Sequence, residues 1–279
     1  MPRDLTPPPA PDPLPRPVAD SHCHLDLALE GEPRAVADVL RAAADVGVTR
    51  VVQVGVDAPS SRWAARVARE HEALVAAVAL HPNEAPRLAE REELDAAFAV
   101  IAELASNERV RGIGETGLDH FRTGPEGRDA QEESFRRHIR LAKREGKALV
   151  IHDREAHDDV LRVVDDEGAP EHVVMHCFSG DAAFARACVE RGFVLSFAGT
   201  VTFKNAEQLR AAAEVVPAGQ LLVETDAPYL APVPYRGRPN ASYLVPLTVG
   251  VLAQVRGETV PDLCDHLDAT TTRVFGAWG

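Results

Sequence analysis

One pattern that recurs along the chain constrains its fold most strongly. A helical stretch ends at a glycine, and a short, mostly apolar run follows it. Three such junctions are Gly47 with residues 51–54, Gly146 with 148–151, and Gly192 with 193–196. Glycine just past a helix end adopts the left-handed conformation that closes the last turn. Continuous apolar runs are typical of strands that are buried on both faces of a parallel sheet. The pattern therefore predicts helices that alternate with parallel strands.

Eight strands are predicted in this way. They lie near residues 18–24, 50–56, 74–80, 110–115, 147–152, 172–176, 192–197 and 220–225. Helical periods of three and four separate them, and a chain of 279 residues suits one barrel. We therefore predict an α/β fold with a single (β/α)8 TIM barrel over residues 18–279. The alternative is an open doubly wound sheet, which the lack of a glycine-rich phosphate loop after the first strand disfavours.

The first 17 residues have a different composition, since eight of them are proline. The stretch has no apolar central region of the kind that a secretory signal contains. Its prolines lack the N–H that a strand ladder needs, and it offers few large apolar groups. We therefore predict a disordered proline-rich tail over residues 1–17, whose removal leaves stability and activity unchanged.

Cysteine content and charge limit the functional classes. The four cysteines form no C-x-x-C pair, which fits a reducing cytoplasm, and no apolar run approaches the length of a membrane helix. No obligatory protein partner is evident. The formal net charge of -13 argues against a broad basic groove for nucleic acid. Bound metal ions could still supply local positive charge for a DNA substrate.

A short histidine motif lies at the end of the first predicted strand. His22 and His24 are separated by Cys23, so alternation along a strand directs the two imidazoles to one face. Two imidazoles on one face form half of a metal site. Two exposed loop histidines would show the same spacing, so the remaining ligands decide between these interpretations.

Six residues of metal-binding type occur where predicted strands end. They are His22, His24, Glu115, His152, His176 and Asp226. The carboxyl ends of barrel strands form the face that carries active sites. Clustered imidazoles and carboxylates serve no packing purpose there and would repel or remain unpaired without an ion. The six residues therefore predict a metal centre.

Five motifs along the chain resemble the TatD-related deoxyribonuclease family from Asp20 to Phe275. They are the stretches 20–24, 114–119, 151–154, 176–180 and 224–230, which read DSHCH, GETGLD, IHDR, HCFSG and ETDAPYL. The resemblance implies a TIM-barrel, metal-dependent hydrolase related to the amidohydrolases and acting on DNA. The likeness is less close at the substrate rim, where His120 and Phe121 follow Asp119 and the family usually has an aromatic first.

The resemblance also implies how the ligands divide between two divalent ions. One ion would be held by His22, His24 and Asp226, a second by His152 and His176, and Glu115 would bridge them. Phosphodiester hydrolysis suits such a pair, since two ions roughly 3.5–4 Å apart supply a hydroxide and stabilise phosphoryl charge. Four imidazoles favour zinc or manganese, and magnesium remains an option for the weaker site.

Catalytic and supporting roles are predicted for further residues near these ligands. Asp226 could accept the proton of the attacking water, and Glu115 would set the spacing of the ions. Arg154 could bind a phosphate through two parallel hydrogen bonds or form a surface ion pair. Glu224 and Asp119 could orient ligand histidines or be solvated at the rim. His81 could touch substrate or serve as a packing group before Pro82.

Three functional hypotheses remain at this point. The first is a two-metal deoxyribonuclease that acts as a 3′–5′ exonuclease on single-stranded or frayed DNA, and the 3′ preference comes only from the resemblance. The second is an amidohydrolase-like enzyme that cleaves an amide, lactone or ester, for example a D-aminoacyl-tRNA ester. A modified lysine often bridges the ions in such barrels, whereas this chain has Glu115, which favours the nuclease. The third is a non-catalytic binding protein, which the complete ligand set disfavours.

Overall fold

The computed structural model describes residues 4–278 of the chain. The chain divides into two compact units. Unit 1 consists of Met1–Gln53 with Gly180–Gly279, and unit 2 consists of Val54–Ser179. The strands are β1 (Val18–Cys23), β2 (Val48–Gly55), β3 (Leu74–Val78), β4 (Val110–Asp119), β5 (Ala148–Arg154), β6 (Val173–Met175), β7 (Val194–Phe197) and β8 (Leu221–Val223).

The helices occupy the intervals between these strands and the C-terminal part of the chain. They are α1 (Val36–Ala44), α2 (Ala58–Glu70), α3 (Glu84–Glu90), α4 (Leu94–Leu104), α5 (Pro125–Glu145), α6 (His157–Glu167), α7 (Ala182–Glu190), α8 (Glu207–Val215), α9 (Val245–Arg256) and α10 (Val260–Phe275). The strands follow chain order, β1 to β8, in one sheet. The fold is a single (β/α)8 TIM barrel, which confirms the predicted class. Among residues 4–278, no helix combines the length and apolarity that a bilayer-crossing segment requires.

Unit 1 contains the strands at the two ends of the sequence. β1 pairs with β2 and β7 pairs with β8, both in parallel. A parallel bridge between Cys23 and Ala227 joins the end of β1 to the segment after β8. The first and last strands of the barrel are therefore neighbours, and the residues at their carboxyl ends lie close together.

Unit 2 contains β3 to β6, whose successive pairs are also parallel. Its strands carry the continuous apolar runs expected from the sequence, and Val75, Ile113 and Leu149 are fully buried. On α5, Phe135 and Ile139 face the same core at helical spacing. The helix ends at Gly146 with a φ of 61°, which confirms the predicted left-handed glycine.

The strands that carry predicted ligands are irregular at those ligands. Between β4 and β5, Ile113 pairs with Leu149 and Thr116 with Ile151, so β4 contains one extra residue around Glu115. An equivalent shift occurs in β1 between Asp20 and Cys23. A bulge of this kind redirects a side chain within a strand. The prediction that this strand ends at Glu115 is therefore wrong, since β4 continues to Asp119.

The bulged part of β4 also passes very close to β5. Gly117 has a φ of 138°, and a Cβ at this position would collide with the backbone carbonyl oxygen of His152. Only glycine combines this backbone conformation with such a close approach. Gly117 therefore keeps the two strands that carry predicted ligands in register beyond Glu115.

The predicted disorder of the tail is not confirmed for residues 4–17, while residues 1–3 lie outside the described residues. The guanidinium of Arg238 donates to the carbonyl oxygen of Thr6 at 2.6 and 2.8 Å, and the Tyr243 hydroxyl donates to that of Pro8 at 2.7 Å. Leu14 N–H donates to Val46 O at 3.0 Å. Prolines lack N–H groups but keep their carbonyl acceptors, and their fixed φ lowers the entropy lost on ordering.

A chain that begins at Leu14 is expected to be less stable than the full chain. The truncation leaves the Arg238 guanidinium without its carbonyl partners, and hydrogen bonds of charged groups contribute about 2 kcal/mol. Differential scanning fluorimetry should show a Tm lower by about 4–8 °C. The control is Arg16→Ala, since the ion pair of Arg16 with Asp265 is exposed and should contribute less than about 1 kcal/mol. An unchanged Tm in the truncated chain would mean that the docked segment adds no stability.

Candidate metal centre

A buried carboxylate surrounded by imidazoles lies in unit 2. Oε1 of Glu115 is 2.7 Å from Nδ1 of His152, 3.2 Å from Nε2 of His81 and 3.6 Å from Nε2 of His176. Glu115 comes from the bulge of β4 and is only 4% exposed. The three histidines come from β5 and from the segments directly after β3 and β6. Four barrel segments thus bring their polar residues to one point.

The donor atoms of this cluster fit a cation. One ligand atom each from His81, Glu115 and His152 lies within 4.8 Å of the other two. Imidazole nitrogen with carboxylate oxygen is the donor set of zinc and other transition metals in proteins. A buried carboxylate is costly unless it is paired, and a cation at this point would pair it. The cluster therefore could hold a metal ion.

Asp119 orients the ring of His152 from the side opposite Glu115. Its Oδ2 is 3.3 Å from Nε2 of His152, while Nδ1 faces Glu115. A proton on Nε2 leaves the lone pair of Nδ1 for a metal, which is how outer carboxylates fix ligand tautomers. Burial disfavours the imidazolium, but hydrogen bonds and the charges of Asp119 and Glu115 outweigh it and raise the pKa of His152 to about 9.

Asp119 is itself held by several donors. Its carboxylate accepts from Nδ2 of Asn83 at 3.1 Å and from the backbone N–H of Arg122 at 2.8 Å. Burial raises the pKa of the Asp119 carboxyl, but the hydrogen bonds from His152, Arg122 and Asn83 outweigh this effect and hold it well below its usual range. Asp119 therefore remains ionised, as an orienting carboxylate must be.

A second group of donors lies in unit 1. Nε2 of His22 is 3.3 Å from Nε2 of His24, and Nε2 of His24 is 3.5 Å from Oδ1 of Asp226. The two imidazoles are buried and come from the end of β1, so they share one side as the alternation predicted. Asp226 follows β8, and its N–H donates to His22 O at 2.9 Å. Neighbouring strands thus supply two imidazoles and a carboxylate.

A fully buried carboxylate, that of Asp20, holds the backbone around His22 and Asp226 in place. Its Oδ1 accepts from Thr225 N–H at 2.9 Å and from His22 N–H at 3.3 Å, and its Oδ2 accepts from the Thr225 hydroxyl at 2.6 Å. Burial raises the pKa of Asp20 to about 6, although hydrogen bonds from Thr225, Ser242 and His22 act in the opposite direction. Asp20 thereby ties the backbone of His22 to the residue that precedes Asp226.

Some functional residues were missed or placed differently by reasoning from sequence. Asp20 was given no role, although a carboxyl in an apolar strand start is an unusual signal. His81 was considered for substrate contact, yet the structure places it against Glu115 and His152. Glu224 is fully buried at the carboxyl end of β8, where its N–H donates to Phe197 O at 3.1 Å, so rim solvation is excluded for it.

Arg154 lies outside both groups of donors. Its guanidinium carbon is 4.0 Å from the ring centroid of Phe121, in the loop after β4. The surface ion pair that was the alternative for Arg154 is absent from the interactions of residues 4–278. The six predicted ligands therefore occur as His22, His24 and Asp226 in unit 1 and as Glu115, His152 and His176 in unit 2.

Comparisons with known proteins agree with this geometry. The family model described as "TatD related DNase" matches residues 19–276. A metal-dependent hydrolase named TatD from Mycobacterium tuberculosis is 44% identical over 263 residues, which is 93% of this chain and 98% of that protein. The metal-dependent hydrolase YcfH from Escherichia coli K12 is 37% identical over 92% of this chain and 95% of its own length.

A solved structure shows the same likeness in three dimensions. The crystal structure of YjjV, a TatD homologue from Escherichia coli K12, superposes with a TM-score of 0.84 at 26% sequence identity, covering 93% of this chain and 98% of that one. The family match covers both groups of donors, seven complete strands and β1 from Ala19 onwards. The chain therefore belongs to the TatD-related DNase family and is a metal-dependent hydrolase.

Proposed function

We propose that this protein is a two-metal deoxyribonuclease that removes nucleotides from the 3′ ends of single-stranded or frayed DNA. The observation that carries the proposal is the buried Glu115 carboxylate within 2.7–3.6 Å of three imidazole nitrogens. A second group of two imidazoles and the Asp226 carboxylate adds a complete further donor set. The family membership supports DNA as the substrate class, and the 3′ polarity rests on the family alone.

The residues divide between the two proposed ions by their unit. His22, His24 and Asp226 would hold one ion. His152 and His176 would hold the other, with Glu115 shared between the two. The distance of His81 from Glu115 makes it a further donor or a partner of the bridging carboxylate. Such a pair of divalent ions would supply a hydroxide at neutral pH and would neutralise charge on the phosphoryl oxygens.

The protein's own residues then have distinct tasks. Asp226 would accept the proton of the water that attacks the phosphorus of the last linkage. The bond from phosphorus to the O3′ of the penultimate nucleotide breaks, this oxygen takes a proton from water, and the 3′-terminal nucleotide leaves with its 5′-phosphate. Asp119 keeps the proton of His152 on Nε2. Asp20 holds the backbone of His22 and Thr225, so that the ligands of β1 and β8 do not move apart. Burial and hydrogen bonding hold Asp119 and Asp20 in the positions that these roles require.

Charge supports attack at a strand end. The chain has 30 basic and 43 acidic residues, whereas proteins that track a duplex make many Lys and Arg contacts. Positive charge would be concentrated at the ions, in a mouth formed by loops after the strands. Such a mouth admits a terminal nucleotide more readily than a continuous double helix. The resulting expectation is release of mononucleotides with a shallow dependence of rate on salt.

Closed circular single-stranded DNA should resist the enzyme, while linear DNA of the same sequence and length is shortened. The reason is that the circle offers no 3′ end. Gel analysis of 5′-labelled linear DNA beside the circle, with protein loaded with zinc, manganese or magnesium, measures the difference. A 3′-phosphorylated linear strand is the matched control for end recognition. Equal cleavage of circle and linear strand would contradict end trimming, and preferential turnover of an amide, lactone or aminoacyl-tRNA ester would contradict the nuclease.

A further inference from the structure

We propose that Phe121 and Arg154 form a nucleotide subsite beside the metal centre, in which the Phe121 ring stacks on an unpaired base and the Arg154 guanidinium binds a phosphate of the same strand. The inference rests on the proposed nuclease function and names the groups that would select single-stranded DNA. It is carried by the position of the pair, the exposure of the ring and the lack of an ionic partner for the guanidinium among the described residues.

Both residues lie directly beyond residues of the metal centre. Asp119 and Arg154 are backbone neighbours in the sheet, at the ends of β4 and β5. The N–H of His120 donates to the carbonyl oxygen of Arg154 at 2.9 Å. Phe121 follows Asp119 by two positions, and Arg154 follows His152 by two positions. Since Asp119 contacts His152 at 3.3 Å, the pair is attached to the same two strand ends as the proposed ligand. A nucleotide held by the pair would lie next to the reacting phosphate.

The Phe121 ring is far more exposed than a large apolar group normally is. It is 57% exposed, the highest value among the exposed large hydrophobic residues of the described chain. The others are Leu27, Tyr229 and Val233. All four lie in loops that follow strand ends, the barrel face that carries active sites. The exposed ring of Phe121 therefore lies at the strand ends of unit 2 that also carry Glu115 and His152.

Arg154 is held in place but has no anion. Its guanidinium lies over the Phe121 ring at 4.0 Å, a cation–π distance. Over residues 4–278 it forms no ion pair, although Arg136 and Arg162, on helices of the same unit, each pair with carboxylates. The nearby acid Asp153 is engaged with Nδ1 of His157 at 2.6 Å.

The two groups together match the chemistry of a single-stranded nucleotide. A half-buried guanidinium that is oriented by an aromatic ring can form two hydrogen bonds to a phosphate with little loss of side-chain entropy. Every base presents a π face, so stacking on an aromatic ring tolerates any sequence. A base must be unpaired and unstacked before it can contact the ring. The subsite therefore predicts recognition that depends on the presence of a base and hardly on its identity.

Binding of two DNA probes tests the role of Phe121. The first probe is a 5′-fluorescein oligothymidylate with phosphorothioate linkages at its 3′ end, and the second carries abasic tetrahydrofuran residues at its two 3′-terminal positions. Fluorescence anisotropy should show that the wild-type protein binds the first about tenfold more tightly. Phe121→Leu keeps the apolar volume without the ring and should abolish this ratio, whereas Phe121→Trp should retain it.

A matched control exists on the helical side of unit 2. Phe98 on α4 also lies beneath a guanidinium, that of Arg137 at 4.2 Å, but it follows no strand end. Phe98→Leu should therefore keep the tenfold preference for the base-bearing probe. Arg154→Lys keeps the positive charge but loses the bidentate hydrogen-bonding geometry of the guanidinium. It should weaken binding of both probes by a similar factor, since both contain phosphates.

The outcomes separate the subsite from the nuclease function. If the wild-type protein binds both probes equally, or if Phe121→Leu keeps the wild-type ratio, the subsite is wrong. If the ratio is present and lost in Phe121→Leu, while unmodified linear DNA is not hydrolysed, the subsite stands and the nuclease function fails. If the wild-type protein hydrolyses DNA but Phe121→Leu keeps the wild-type binding ratio, the nuclease function stands and the subsite is wrong.

Discussion

Glu115→Gln is expected to lower kcat for linear single-stranded DNA by about three powers of ten. Glutamine keeps the size of the side chain but removes the negative charge, on which three imidazoles converge within 3.6 Å. Loss of one preorganised electrostatic group at a reacting centre costs about 100- to 1,000-fold, and a carboxylate shared by two ions should lie at the upper end. Initial rates with saturating DNA measure the effect.

The experiment needs a fold check because Glu115 is buried. Circular dichroism and Tm should be close to those of the wild type, since the glutamine amide can still hydrogen-bond to His152. Glu190→Gln, at an exposed position on α7, is the control and should have wild-type kcat. Asp226→Asn should also lower kcat strongly, because the amide cannot accept a proton from water. Near wild-type turnover in Glu115→Gln would remove that residue from its proposed bridging role.

Chelation is expected to remove about two divalent ions per chain and to abolish turnover. The two donor groups, one in each unit, are the reason for this stoichiometry, and two-ion hydrolysis requires both. Inductively coupled plasma analysis of protein purified without chelator, followed by zinc or manganese titration of the stripped protein, measures the number and its restoration. Turnover should return with the second equivalent.

A histidine variant should separate the two proposed ions. His152→Ala removes a donor from the unit 2 cluster only and should reduce the stoichiometry to about one, with loss of turnover. His266→Ala is the control, since His266 lies on α10 and pairs with Glu258 at 3.0 Å. A stoichiometry near zero in the wild-type protein, even after zinc or manganese is added back, would contradict the two-ion proposal.

Local sequence patterns were sufficient for the architecture and for most candidate ligands. The glycine-terminated helices and apolar runs predicted all eight strands within a few residues of their bounds, because buried parallel strands need continuous apolar side chains. His22, His24, His152 and His176 could be selected because each occurs at the end of such a run. Alternation alone also indicated that His22 and His24 share one side, and their nitrogens lie 3.3 Å apart.

Tertiary structure alone decided the features that depend on residues distant in sequence. The bulge at Glu115 exists only in the pairing of β4 with β5, and His81 joins that carboxylate across 34 positions of chain. The docking of residues 4–17 required donors from Arg238 and Tyr243, which no local property of a proline-rich stretch reveals. Periodicity records whether a residue is buried, whereas hydrogen-bond partners are determined by which segments the folded chain brings together.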